Sequence, residues 1–393
     1  MPKTPPAPSA LPQSQTTTST ARFDYFAVCP PGLEALAQAE LFELGIKQPQ
    51  AMPGGVAFSG FLTHLYRVNL WSRISSRVLL RLGTFLAEDF AQLQVACEQL
   101  PWEHFITAAQ PCDVRVTCHQ SRLYHSDAVA ERVQRSIQRR LGGAPTSTAG
   151  TAQLVVVRLQ SDVCTVSLDS SGAHLHQRGY RLQTGKAPLR ENLAAALLRA
   201  VDYHGSTPFL DPCCGSGTLP IEAALIACHK APGLDRQFAF TTWQTYQPDA
   251  WNDLLTQARA KQQITQQPIW ASDRDSGAIA ATQANAARAG LAAVIQAQQA
   301  PLSAAQPSAQ SGCLVTNLPY GERVGDPNDL RNLYAAFGKL VKQRFAAWQV
   351  AFLAGSPALA ATTGIPNLDL PLWLPHGGRP VPFYVASRPT QAT

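Results

Sequence analysis

The segment FLDPCCGSGTLPIEAAL, residues 209 to 225, restricts what this chain can fold into more than any other stretch. An apolar strand ends at Asp211, a turn carries Gly215, Ser216 and Gly217, and helical periodicity begins near Thr218. A strand that feeds a helix through a glycine turn is the opening unit of a doubly wound sheet. The alternation continues downstream. IWASD (269 to 273) precedes an Ala-rich helix, and CLVTN (313 to 317) reads as a further buried strand. The predicted class of the C-terminal half is therefore α/β with a parallel sheet, its ligands lying outside the carboxyl ends of the strands.

The turn also narrows the ligand. Glycines let a ligand approach the backbone without meeting a Cβ, and the helix start presents free N–H groups. A Walker loop would need Gly-Lys-Ser/Thr and a dinucleotide fingerprint a third glycine, whereas this turn reads GSGTLP. Nucleotide phosphate is disfavoured. An acid directly before the turn, Asp211, suits a ligand carrying an ammonium group, as the methionine part of S-adenosylmethionine does. Asp273, at the end of the next strand, is placed to accept hydrogen bonds from both hydroxyls of a ribose. Asp275 is expected to cap the helix that starts near Ser276.

CLVTNLPYGER (313 to 323) carries the second chemical signal. An exocyclic base amine is a poor nucleophile, because its lone pair is delocalised into the ring. The Asn317 side-chain oxygen and the Leu318 carbonyl can both accept N–H bonds from such an amine. Pro319 has no N–H to compete and stiffens the turn, and Tyr320 offers a flat face to a base drawn out of its stack. Positioning and polarisation supply the rate, with no dedicated general base.

The first half of the chain is different in kind. From Arg22 to about Asp169 the pattern is mixed α+β: strands FDYFAV (23 to 28), VAFSG (56 to 60), CDVRVTCH (112 to 119), QLVVVRL (153 to 159) and VCTVSLD (163 to 169), with a helix over 32 to 45. A second helix is predicted from Asp127 to Leu141, capped by Ser126 and closed by Gly142 and Gly143. On it Val129, Val133 and Ile137 share one face, while Arg132, Arg135 and Arg139 fall together opposite. Three guanidiniums in a row can follow a phosphate backbone, or they can simply solvate an amphipathic helix. Residues 22 to 190 hold 17 Lys plus Arg against 13 Asp plus Glu, and residues 191 to 393 hold 14 against 13, so the surplus sits in the half with that helix. HQRGYRLQTGKAPLREN (176 to 192) joins the halves with Arg178, Arg181, Lys186 and Arg190. It is either a linker that also grips RNA or an element whose Arg190 and Glu191 end closes the cofactor pocket. An insertion between Ala231 and Gln267, rich in Trp and Tyr, is expected to pack more than to act as a lid.

Residues 1 to 21 are almost all Pro, Ser, Thr, Gln and Ala and predict a disordered tail. No apolar run resembles a signal sequence or approaches the roughly 18 residues of a membrane span, so a cytoplasmic protein without membrane partners is expected. The nine cysteines are scattered without paired CxxC motifs, which predicts neither a disulfide framework nor a metal site.

DPCCGSGT followed by NLPY resembles the class I amino-methyltransferases, whose pattern is DPxCGSGT with (D/N)PPY; Leu318 stands for the first Pro. YRVNLWSRISSRVLLRL (66 to 82), LHQRGYRLQTGKAPLRENLAAALL (175 to 198), APGLDRQFAF (231 to 240) and NLPYGERVG (317 to 325) are similar to one branch, the THUMP-containing guanine-N2 methyltransferases of bacterial large-subunit rRNA. The resemblance runs from about Arg22 to Phe383. After the disordered tail (1–21) it implies a ferredoxin-like region (22–62), a THUMP RNA-binding domain (63–169), a linker (170–192) and a Rossmann-like methyltransferase domain (193–393). It also implies S-adenosylmethionine as cofactor, held by Asp211, Pro212, Gly215, Ser216, Gly217, Thr218 and Asp273. Asn317, Leu318, Pro319 and Tyr320 would do the chemistry, and rRNA, free or in an assembly intermediate, would be the substrate. Some members carry a second methyltransferase domain, which a chain ending at Thr393 is expected to lack. The acid that class I methyltransferases place after the third strand is absent from VIQAQQAPL (294 to 302), which offers only Gln298 and Gln299 there; a glutamine carbonyl can serve, and Gln298 is assigned the adenine contact. RNA contact is assigned to Arg132, Arg135, Arg139, Arg178, Arg181 and Lys186. The NLPY geometry also serves a tRNA guanine-N2 or an adenine-N6 enzyme, and a non-catalytic RNA-binding or ribosome-assembly protein is the alternative of another class.

Overall fold

The computed structural model describes residues 21–143, 152–182, 189–320, 327–369, 371–376 and 378–386. Lys186, nearly all of the tail and the segment after Tyr320 lie outside the described residues. The first half runs β1 (Phe23–Val28), α1 (Glu34–Glu43), β2 (Gln50–Met52), β3 (Gly55–Gly60), α2 (Leu62–Trp71), β4 (Arg77–Leu86), α3 (Phe90–Glu98), β5 (Cys112–His119), α4 (Ser126–Leu141), β6 (Gln153–Gln160) and β7 (Val163–Asp169). These strands form one sheet in the order β2-β3-β1-β4-β7-β6-β5, antiparallel except for the β5/β6 pair. Strands from both sides of position 62/63, which itself lies in α2, take part in it. The half-buried alternation of β1 and β6 is what a sheet with one covered face requires.

Two helix ends differ from expectation. The helix predicted over 32 to 45 is shorter, Glu34–Glu43, because Gly32 and Gly45 both take positive φ, 88° and 84°, outside it. In α4, Ser126 is the first helical residue and not its cap; His125 holds that place without a side-chain bond, while Gly142 closes the helix at φ 84°. Val129, Val133 and Ile137 are buried as their spacing requires.

The second half runs α5 (Glu191–Ala200), β8 (Phe209–Asp211), α6 (Thr218–Ala227), α7 (Pro248–Ala260), β9 (Ile269–Asp273), α8 (Ser276–Arg288), β10 (Ile295–Gln299), β11 (Cys313–Asn317), α9 (Pro327–Arg344), β12 (Gln349–Leu353), α10 (Pro357–Thr362), β13 (Leu372–His376) and β14 (Arg379–Ala386). The sheet order is β10-β9-β8-β11-β12-β14-β13, parallel from β10 to β12 and antiparallel at β14 and β13. Alternate residues of the central strands feed two cores. Phe209, Val315, Ala351 and Leu353 belong to one, while Leu210, Leu314, Val350 and Phe352 pack with Tyr334 and Phe337 of α9. Burial on both faces explains why these strands read as apolar runs. The chain winds one way from β8 to β9 and β10, then returns to β11 on the other side. The crevice between β8 and β11 is thus the topological switch point.

The aromatic insertion fastens the halves together. Tyr66 of α2 stacks on Phe240 at 4.6 Å between ring centroids and meets Trp251 edge-on at 6.0 Å, and Trp243 Nε1 donates to Gln153 Oε1 of β6 at 2.8 Å. These rings are buried, so the insertion packs, as expected, and does not hang over the crevice as a lid.

Candidate active site at the switch point

Asp211 ends β8, and its neighbours hold it tightly. Its Oδ1 accepts from the Cys213 amide at 3.1 Å and from the Thr316 hydroxyl of β11 at 2.7 Å. The side chain is almost fully buried, and that burial pushes its carboxyl up to about 7, against the lowering effect of these two donors. An ammonium brought beside it would restore the charged form.

The glycine turn is shaped from both sides. Gly215 and Gly217 take φ 54° and 85°. A Cβ on Gly217 would lie 2.8 Å from the Thr282 side chain of α8, whereas one on Gly215 would meet nothing within 4 Å, so that side of the turn faces open space. Thr282 donates to the Gly215 carbonyl at 2.9 Å and Asn285 to the Ser216 carbonyl at 2.9 Å. Asp273 at the end of β9 ties in the same turn: Oδ2 accepts from the Gly215 amide and Oδ1 from the Asp275 amide, both at 3.0 Å. Each carboxylate oxygen keeps a second lone pair for a ligand hydroxyl. Asp275 caps α8 through the Gly277 amide, 2.8 Å away. Gln298, across from Ser272 in the β9/β10 ladder, is exposed, and its neighbour Gln299 is bonded to the Arg274 carbonyl at 3.0 Å.

At the end of β11, next to β8, stands Asn317. Its Oδ1 is buried and has no hydrogen-bond partner among the described residues. A buried acceptor left empty costs free energy, so such an atom marks a place for an incoming donor. The Leu318 side chain is fully buried in the α9 core. Tyr320 has a buried hydroxyl with no partner among the described residues, and burial pushes its pKa up to about 12, so it remains protonated. Gly355, just past β12, lies against this tyrosine: a Cβ there would sit 2.5 Å from Tyr320 Cβ.

Two arginines assigned to RNA are elsewhere. Arg178 is buried against Glu222 (3.5 Å) and donates to the Leu175 and Arg73 carbonyls. Arg181 pairs with Glu191 at 3.1 Å and donates to the Leu189 carbonyl and to Thr218 Oγ1 at 2.8 Å. Arg178 is buried and Arg181 is largely so, and both spend their hydrogen bonds within the fold. Both brace α6, Arg178 at Glu222 and Arg181 at Thr218. On α4, Arg132 lies 3.8 Å from the Phe90 ring centroid, Arg135 is paired with Glu131, and Arg139 with Glu98 at 3.0 Å. Their acids offset much of the charge that their spacing promised. Sequence reasoning missed Thr316, Thr282, Asn285, His376 and Arg379. Thr316 lies inside the CLVTN strand that the sequence singled out, one residue before Asn317, whereas the other four sit at no motif spacing and are brought to the crevice by the fold.

Comparison with known proteins places this geometry. Residues 24–79 match the RlmL ferredoxin-like domain, 87–169 the THUMP domain and 178–365 the RMKL-like methyltransferase domain. The chain is 40% identical over 359 residues to the Ribosomal RNA large subunit methyltransferase K/L of Syntrophotalea carbinolica, covering 87% of this chain and 50% of that protein. It thus spans about half the length of that relative. It is 36% identical to a "Putative RNA methyltransferase" of Synechocystis, with 90% and 94% of the two chains covered. Among solved structures, a "predicted N6-adenine-specific DNA methylase" from Listeria monocytogenes superposes with TM-score 0.86 at 32% identity, covering 95% of this chain and 98% of that one. SMU.472, "a putative methyltransferase complexed with SAH", superposes with TM-score 0.85 at 28% identity over 93% and 97% of the chains.

Proposed function

The chain belongs to the THUMP-containing, RlmL-like methyltransferases, and on that premise we propose that it transfers a methyl group from S-adenosylmethionine to the exocyclic N2 of a guanine in large-subunit rRNA. The observation that carries this reading is the buried Oδ1 of Asn317 at the switch point, which has no hydrogen-bond partner among the described residues. The residues present fit the cofactor. Gly215 leaves room along the turn, Asp273 retains acceptor capacity for a ribose, and the raised Asp211 carboxyl gains from a cationic neighbour. Pro212, Ser216, Gly217 and Thr218 complete the turn, and Gln298 supplies an adenine contact. Bound there, S-adenosylmethionine supplies an electrophilic sulfonium methyl.

The chain's own work is to orient the amine. Asn317 Oδ1 and the Leu318 carbonyl accept its two N–H bonds and thereby direct its lone pair, and Tyr320 supports the ring of the extruded base. Pro319 keeps the turn stiff and donates nothing. In this arrangement no side chain has to take up a proton before transfer. The THUMP match supports RNA over DNA as substrate, and the name of the S. carbinolica relative supports large-subunit rRNA. Nucleoside mass spectrometry of a deletion strain should show N2-methylguanosine lost from large-subunit rRNA. Loss of N6-methyladenosine instead, the base named for the Listeria structure, would replace guanine in this reading; unchanged rRNA would overturn it.

A further inference from the structure

The glycine turn is steered from α8, an Ala-rich helix that buries two polar residues, Thr282 and Asn285. Three places apart, they share one face of the helix and hold the carbonyls of Gly215 and Ser216. Asn285 is the more demanding of the two. Its amide has a donor end and an acceptor end, and only the donor, Nδ2, can serve the Ser216 carbonyl. Reversed, the amide would set two oxygens face to face in a buried place, which is costly.

What fixes the choice lies one turn further along the helix. Arg288 donates through Nη2 to Asn285 Oδ1 and through Nε, at 2.8 Å, to the backbone carbonyl of Tyr180 in the segment joining the halves. A guanidinium only donates, so the end of the amide that it holds must be Oδ1. Tyr180 is a firm anchor. It is buried, and its hydroxyl donates at 3.2 Å to Glu222 of α6, which also meets Arg178. Since α6 begins directly after the turn, a closed polar circuit runs from the Ser216 carbonyl through Asn285, Arg288 and Tyr180 to Glu222 and back along α6.

We propose that Arg288 is a positioning residue for cofactor binding: by holding Asn285 Oδ1 it keeps Nδ2 on the Ser216 carbonyl, and so sets the peptide between Ser216 and Gly217. The Gly217 amide donates to the Cys214 carbonyl at 2.9 Å, so a rotation of that peptide opens the turn. This rests on the seating of S-adenosylmethionine on the turn described above. Arg288 acts through Asn285, and its own guanidinium is spent on Asn285 and Tyr180.

The test uses the full chain and replaces a donor by nothing or by an acceptor. Arg288 is exposed, so its variants leave the core intact. Arg288→Lys keeps a donor for Oδ1 and should bind S-adenosylhomocysteine within about twofold of wild type. Arg288→Ala leaves the amide unguided and should weaken binding about fivefold. Arg288→Glu offers an acceptor, draws Nδ2 outward and turns Oδ1 onto the Ser216 carbonyl, for a loss of about 30-fold. Hydrogen exchange of the Gly217 amide in the ligand-free protein should quicken in the same order. Arg259→Glu, the same change of charge at an exposed position of α7, should behave as wild type. If Asp273→Ala weakens binding while the Arg288 series leaves both affinity and exchange at wild-type values, the proposal is wrong and the seating of the cofactor stands. If exchange follows the expected order while neither Asp273→Ala nor the series alters affinity, the hold on the turn stands and that seating fails. A basic group in the last turn of α8 also suits the helix dipole. Equal losses in Ala and Glu, in step with the melting temperature, would reduce Arg288 to that structural role and overturn the proposal.

Discussion

Replacing Asn317 by Ala should separate catalysis from stability in an unusual direction. Most buried polar side chains are bonded, and their removal leaves a partner stranded; here Oδ1 has no described partner to strand. Deleting an empty buried acceptor relieves a desolvation penalty of about 1 to 3 kcal/mol. The small cavity left behind offsets part of that gain, since losing a few buried atoms costs about 1 kcal/mol. The net expectation is a melting temperature equal to or above wild type. Methyl transfer should fall by a factor on the order of 100 to 1,000, as when one aligned transition-state group is lost. Cofactor affinity should stay within a few-fold, because Asp211, Asp273 and the glycine turn are untouched. Single-turnover transfer to rRNA transcript, titration of S-adenosylhomocysteine and a thermal melt measure the three quantities. Near-normal turnover at saturating cofactor and RNA would refute the role given to the NLPY segment. A marked loss of stability with equal loss of cofactor binding would show Asn317 to be a structural residue.

Asp273→Ala should do the reverse, weakening S-adenosylhomocysteine binding by roughly 1.5 to 3 kcal/mol. Part of that loss should appear as a looser turn, visible as faster amide exchange at Gly215, whose N–H it holds. Burial raises the Asp211 carboxyl from 3.8 to about 7, so the folded apo-protein keeps a proton that the unfolded chain has lost. Its contribution to apo stability is full below pH 3.8 and is lost as pH rises through about 7. A cationic ligand favours the ionised form, so cofactor affinity should rise between about pH 6 and 8, with proton release on binding seen by calorimetry in buffers of different ionisation heat; a flat profile would count against Asp211 as the ammonium partner. Gly355→Ala should push Tyr320 aside and lower turnover on the order of 100-fold with cofactor binding preserved, and a crystal structure of the variant would show the displaced ring.

The alternation of strand and helix, the glycine turn and the asparagine ending β11 were legible in the chain because each is set by neighbours along it. Apolar runs from 209, 269 and 313 demand burial on both faces, and only a covered parallel sheet provides it. Positive φ at Gly215 and Gly217 is likewise a local matter. Charge was where local reasoning failed. Helical spacing put Arg132, Arg135 and Arg139 on one side of α4, but could not reveal that Phe90 and Glu98 come from another helix to meet two of them. Arg178 and Arg181 carry an RNA assignment from the sequence, yet Arg178 meets Glu222 and Arg181 meets Thr218, 44 and 37 positions along the chain, and Arg181 also pairs with nearby Glu191. The same holds for the crevice itself: Thr316 reaches Asp211 across 105 positions, and the β13/β14 hairpin brings Arg379 to Tyr320. Periodicity and turn chemistry report the backbone, which answers to residues a few places away. The partner of a long polar side chain is chosen by whichever segment the fold sets beside it, and that choice belongs to the tertiary structure alone.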